Sequence, residues 1–235
     1  MAEDEEVRPG KTARVRAADG GGGSTDAGGR LAILGAMTAE PSDYVQQLPI
    51  GQEIPFDADG IPGWEIFPFE GDLRVKKLEP PVLPEPARNG APGGTPCQPC
   101  SWQDSDYIWT DENWRLRTFP EASIPALVML EPREHCDLAD LPAERAAELG
   151  ALFQRVERAV LGLGGIARVH VARYGDGGDH LHWWFSARPE GMLQMRGSCL
   201  LIWEDVLPKV EAGRWAATNR KIAAAMAADG GTAHV

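Results

Sequence analysis

Between Pro142 and Leu163 the sequence carries its one long amphipathic stretch, and every other ordered-looking run is short. Leu149, Leu152, Phe153, Val156, Val160 and Leu163 fall at i, i+3, i+4, i+7, i+11 and i+14, the spacing that lines one side of an α-helix. Pro142 suits the first helical turn, and Gly164-Gly165 ends the run. Such a helix must bury its apolar stripe, and the flanking segments supply the surface. "YIWTDENWRLRTF" reads as two strands turned at Asp111-Glu112-Asn113, and "PALVMLEP" as a continuous apolar strand of the kind found inside a sheet. "ARVHVARY" and "HLHWWFSA", joined by "GDGGD", read as an antiparallel hairpin. Together these predict an α+β fold, an antiparallel sheet with the amphipathic helix packed on it.

The rest of the chain is read by composition. Residues 1–36 combine acidic and glycine-rich runs with little to bury, which predicts a disordered tail, and the folded part is expected to begin near Met37. Residues 37–96 read as an extended arm, in which "WEIFPFEGDLRVKKL" predicts two short strands around Gly71-Asp72, followed by the Pro/Gly linker 79–96. The sheet domain is expected over 97–210. Residues 211–235 should form a C-terminal helix and tail, with alanine-rich "AATNRKIAAAMAA" lying on the surface.

Charge narrows the partners. With 35 acidic against 23 basic residues the net charge is −12, which repels long nucleic acid and anionic membranes. A local arginine cluster could still hold a small phosphorylated ligand. No apolar run approaches the ~20 residues of a membrane span, and acidic "MAEDEEV" does not resemble a secretory leader, so a soluble cytoplasmic protein is expected. Four cysteines are too few for a disulfide scaffold; in a reducing compartment the close pair Cys97 and Cys100 points to metal or redox chemistry.

The densest chemistry lies in "GDHLHWWFSARP". On a strand, His180, His182 and Trp184 would share one face, and Leu181, Trp183 and Phe185 the core face. The C-x2-C pair can present both sulfurs to one tetrahedral zinc, which needs two further ligands. The five histidines, His135, His170, His180, His182 and His234, are the candidates. His170 alternates with two valines and Cys136 and Cys199 read as small buried hydrophobes.

These residues resemble the histidine-triad (HIT-like) superfamily, and in particular its zinc-containing branch that includes galactose-1-phosphate uridylyltransferase. The features appear in the family order: C-x2-C, a strand running into "EPREHCDLADLP", an amphipathic helix, then H-x-H followed by Arg-Pro. The resemblance spans Cys97 to Pro189 and implies a structural zinc held by Cys97, Cys100, His135 and His180. It aligns "HLHWWFSAR" with H-x-H-x-H-x-x-P-R, which makes His182 the nucleophile that forms a nucleotidyl-histidine intermediate. The implied activity is that of a nucleotidyl hydrolase or transferase acting on a small nucleotide or nucleoside phosphate. Trp184 stands where the third histidine would be, and the usual phosphate-holding asparagine is missing, which leaves Arg173, Arg188, Arg196 and Trp184 as candidate substrate contacts. Smaller members of the family commonly form homodimers, and here the long N-terminal arm could cover that surface.

Other readings remain open at this level. His180 and His182 could both ligate a catalytic zinc, with Asp179 or water completing the shell. The zinc site could only stabilise a binding protein for a nucleotide or other partner. A thioredoxin-like role for "CQPC" fits poorly, because the motif follows a Pro/Gly linker where a βαβ context is expected.

Overall fold

A computed structural model of the protein describes residues 40–56 and 59–235, so the expectations for a tail over 1–36 and a start near Met37 lie outside the described residues. In chain order the helices are α1 (Asp43–Gln46), α2 (Gln98–Ser101), α3 (Ala143–Leu161), α4 (Cys199–Val206) and α5 (Ala212–Ala228). The strands are β1 (Trp109–Thr110), β2 (Trp114–Thr118), β3 (Leu127–Pro132), β4 (Ile166–Ala172), β5 (Trp183–Pro189) and β6 (Thr232–Ala233). They form one sheet of order β4-β5-β3-β2-β1-β6 in which every pair is antiparallel. The α+β architecture is as expected, and β3, the continuous apolar run, is buried at every position inside the sheet.

Strand alternation divides the sheet into two faces. Leu116, Val128, Leu130, Phe185 and Ala187 pack with Leu152, Val156, Ala159 and Val160 of α3 to form the main core. On the other face, Arg117, Met129 and Trp184 lie in one row across β2, β3 and β5. Part of that face is covered by a second cluster, in which Leu127 and Trp184 meet Met195, Leu200 and Trp215. The helix α3 has Pro142 as N-cap and Gly162 as C-cap, and Gly164 and Gly165, both at positive φ, turn the chain into β4.

Three expectations are corrected. First, residues 64–78 form no hairpin: Pro68 lacks an N–H, and the Ile66 carbonyl instead accepts a hydrogen bond from the Trp203 indole at 2.9 Å, docking the arm on α4. Its one ladder-like contact is a parallel bridge between Ile50 and Leu78.

Second, β5 begins at Trp183, after the histidines, and the connection from β4 runs over residues 173–182. The backbone before Trp183 is bonded elsewhere: Asp179 N–H donates to Asn89 O at 2.8 Å and Leu181 N–H to Cys136 O at 2.8 Å. The alternation nevertheless holds, with Leu181 and Phe185 in the core and His180, His182 and Trp184 lining one cleft.

Third, α5 is not a surface helix. Trp215, Asn219, Ile222, Ala223 and Met226 are buried, at i, i+4, i+7, i+8 and i+11. The alanines between them are small enough to let α5 lie close against its neighbours, so low hydrophobicity did not mean exposure. We expect Ile222→Ala to cost ~2–4 kcal/mol in denaturant unfolding. A loss within about 0.5 kcal/mol would return the helix to the surface.

Candidate functional site

Four segments converge on one point. The linker delivers Cys97 and Cys100 on either side of the first turn of α2, the loop after β3 supplies His135, and the segment before β5 supplies His180. One ligand atom from each lies within 4.8 Å of every other. His180 Nδ1 is 3.5 Å from both Cys97 Sγ and Cys100 Sγ, and His135 Nδ1 is 3.4 Å from Cys100 Sγ. An S···N edge of about 3.6 Å is what tetrahedral zinc requires with Zn–S ≈ 2.3 Å and Zn–N ≈ 2.0–2.1 Å.

The imidazoles are held in the matching orientation. His180 Nε2 donates to the Pro132 carbonyl at 2.8 Å, which leaves Nδ1 as the lone-pair nitrogen facing the sulfurs. His135 Nε2 sits 3.7 Å from Asp179 Oδ2, a carboxylate behind the ring on the side away from the thiols. Burial lowers the His180 pKa, which favours the neutral ring that a metal needs, and raises the Cys100 thiol to about 11, with the hydrogen bond to Cys97 and the charge of Cys97 adding to the rise. The chemistry of this donor set, two sulfurs and two neutral imidazoles, fits a zinc-class ion.

Gly90 closes the site from the linker side. Its φ is +94°, and an added Cβ would lie 2.9 Å from His135 Cε1 and 3.2 Å from Cys97 Cβ. Gly90→Ala should therefore weaken metal binding by roughly tenfold, since the strained backbone and displaced imidazole together cost on the order of 1–2 kcal/mol. Competition with a chromophoric chelator measures this, and unchanged affinity would show that the ring can give way.

His182 lies outside the four-residue cluster. Its Nδ1 donates to the backbone carbonyl of His180 at 2.8 Å, and no hydrogen-bond partner is seen at Nε2. The ring lines a cleft of about 190 Å³ together with Trp102, Arg117, Met129, Glu131, Gly178 and Trp184. Trp184, in place of a third histidine, stacks on Phe119 with centroids 4.9 Å apart and meets the His182 ring edge-on at 6.4 Å. A larger groove of about 730 Å³ lies over the ends of β4 and β5 beside α5, but neither histidine nor cysteine lines it.

The arginines expected at the substrate are placed elsewhere. Arg173 is ion-paired with Asp137, Arg188 bonds the Met192 carbonyl at 3.2 Å, and Arg196 bonds the Leu193 carbonyl at 2.9 Å; none of them lines the His182 cleft. Arg88, from the linker, pairs with Asp137 at 2.7 Å and also with Asp179, and reaches the Gly175 carbonyl at 2.9 Å. Burial alone would raise the Asp137 carboxyl, but hydrogen bonds from Arg88, the Leu138 N–H and Arg173 hold it down to about 2. This network, with Asn89 bonded to both Gly177 and Asp179, fastens the glycine loop to the linker. His170 is half-buried beside Ser186 and Tyr174, its pKa lowered by burial and by the nearby Arg188 charge. His234 hydrogen-bonds Thr110 at 2.8 Å, at the edge of the sheet.

Sequence reasoning missed Arg117, Glu131 and Trp102 as parts of the cleft wall. One signal was present: "RLR" in β2 sets two arginines on the face opposite buried Leu116.

No protein-family model matches the chain, and no curated protein matches it. Solved structures similar to it include a histidine triad protein from Bradyrhizobium japonicum, 19% identical over 51% of this chain and 89% of that one, TM-score 0.44. Another is a Zn-bound histidine triad family protein from Mycobacterium smegmatis, 25% identical over 52% of this chain and 84% of that one, TM-score 0.38. A uridylyltransferase is 18% identical over 55% of this chain and 44% of its own length, TM-score 0.40. The solved structures this chain resembles thus include histidine triad proteins and a uridylyltransferase, matched over about half of its length at TM-scores below 0.5.

Proposed function

We propose that the protein is a nucleotidyl hydrolase or transferase of the histidine-triad type, with His182 as the nucleophile and Cys97, Cys100, His135 and His180 as the ligands of a structural zinc. The observation that carries the reading is the His182 ring: a backbone carbonyl fixes the proton on Nδ1, which leaves Nε2 unprotonated and directed to a cleft.

The chemistry runs through this chain's own groups. The Nε2 lone pair attacks phosphorus, an N–P bond forms, and the leaving group departs with the bonding pair and takes a proton from solvent. The positive charge that develops on the imidazole is stabilised through Nδ1–H and the His180 carbonyl. Water or an acceptor phosphate then attacks phosphorus, and the N–P electrons return to Nε2. When bound, the zinc supplies a rigid crosslink between linker and sheet and, with all four positions filled by protein, no site for a reactive water.

The experiment is a search for the covalent adduct. Zinc-loaded protein is quenched after brief incubation with a panel of nucleoside phosphoramidates, dinucleoside polyphosphates and sugar nucleotides, then analysed by intact mass. The expected result is an acid-labile nucleotidyl mass increment that maps to His182. Turnover with the adduct on another residue, or with no adduct under any quench, would remove His182 from the mechanism. A thermal shift with nucleotides and no product from any of them would favour a binding protein instead.

A further inference from the structure

A nucleophile aimed at phosphorus needs a positive group on the non-bridging oxygens, and the arginines nearest in sequence are held elsewhere. Arg88 and Arg173 are neutralised by Asp137 and Asp179. Arg115 is buried over the Tyr107 ring, 4.5 Å from its centroid. Among the residues lining the His182 cleft, Arg117 is the one lysine or arginine.

Arg117 is preorganised and short of acceptors. Its guanidinium lies 5.2 Å from the Trp102 ring and 5.0 Å from the Phe119 ring. Its polar contacts are Nε to Glu131 Oε2 at a long 3.5 Å and Nη2 to Met129 Sδ at 2.7 Å, so the fork keeps donors for a ligand. Glu131 is only 1% exposed, lines the same cleft, and has one carboxylate oxygen, Oε1, without a partner. Two polar groups with unmet hydrogen-bonding capacity therefore flank one small space.

Register sets the reach. Arg117 pairs with Met129 and Met129 with Trp184, so at ~4.8 Å per strand the Arg117 and Trp184 backbones stand about 10 Å apart. His182 precedes Trp184 by two residues on the same side. An extended arginine and an imidazole facing each other across that interval leave room for a single tetrahedral oxyanion between them.

The geometry points to Arg117 as the anion-binding residue of the His182 cleft, holding the non-bridging oxygens of the phosphoryl group that Nε2 attacks. This rests on the reading of His182 as a nucleophile, although the anion site can be tested apart from it. Glu131 restrains the guanidinium from behind, and its free oxygen accepts a donor, water or a substrate hydroxyl, beside the bound anion.

Inorganic pyrophosphate is the probe, titrated calorimetrically into zinc-loaded full-length protein. The parent should bind it, Arg117→Met should bind at least tenfold more weakly, and Arg117→Lys, which keeps the charge and loses the fork, should fall between. Affinity should drop with added salt in the parent and be nearly flat in Arg117→Met, a readout that a packing role alone would not move. Zinc content and melting temperature serve as controls, and Arg117→Lys answers the question if Arg117→Met does not fold. Equal binding by parent and Arg117→Met, or a parent that binds no pyrophosphate, overturns the assignment. Pyrophosphate binding that depends on Arg117, with no adduct on His182, would sink the nucleophile and keep the anion site.

Discussion

Replacing His182 with alanine should abolish turnover, by a factor on the order of 10³ or more, while the protein keeps one zinc per chain. The size follows from removing the atom that forms the covalent bond, after which positioning alone gives only residual catalysis. Retention of the metal follows from the geometry: His182 is outside the Cys97, Cys100, His135 and His180 cluster and touches it only through the His180 backbone carbonyl, which alanine leaves in place. Steady-state rates and elemental analysis of the same preparation check both halves. Activity within tenfold of the parent would show that another group does the chemistry. Loss of zinc together with activity would instead make His182 a ligand, contrary to its place in the structure.

Cys100→Ser should give the second large effect, loss of the metal and of much of the folding free energy. The four ligands come from the linker, the turn after β3 and the segment before β5, so the ion crosslinks parts of the chain that are otherwise joined mainly by the Arg88 and Asn89 contacts. Metal binding to a site absent from the unfolded chain is folding energy, roughly several kcal/mol, and a chain of this size should melt at least ~10 °C lower. Chelation of the parent should reproduce the shift, and added zinc should reverse it. A variant that melts with the parent would show the cluster to be dispensable. Turnover should fall as well, because the carbonyl that orients His182 belongs to His180, whose ring position the ion fixes.

Much of this was legible in the sequence because it is local. The stripe from Leu149 to Val160 gave α3 almost to its ends, and alternation placed Leu181 and Phe185 in the core even though the strand starts only at Trp183. The residue types near the histidines, two cysteines three apart and a histidine in the turn after β3, pointed to the cluster that the structure brings together. What was not legible depends on register. Arg173, Arg188 and Arg196 were chosen for closeness in sequence, yet at ~3.3 Å per strand residue Arg188 is carried about 20 Å from His182. Arg117 lies 65 positions before His182 and reaches its cleft only because β2, β3 and β5 are neighbours in this alignment. The burial of α5 was hidden for a related reason: alanine shows little preference until its neighbours are known.

The separation of the ligands also governs how the protein is born. Cys97 emerges from the ribosome 83 residues ahead of the histidine it faces, an interval of about 4–17 s at typical synthesis rates of roughly 5–20 residues per second. Throughout that window two neighbouring thiols stand without their imidazole partners, open to oxidants and to softer ions such as copper. Correct loading therefore depends on the last third of the chain arriving before such competitors do, and expression under zinc limitation or oxidative stress is where a mismetallated or disulfide-trapped population would accumulate.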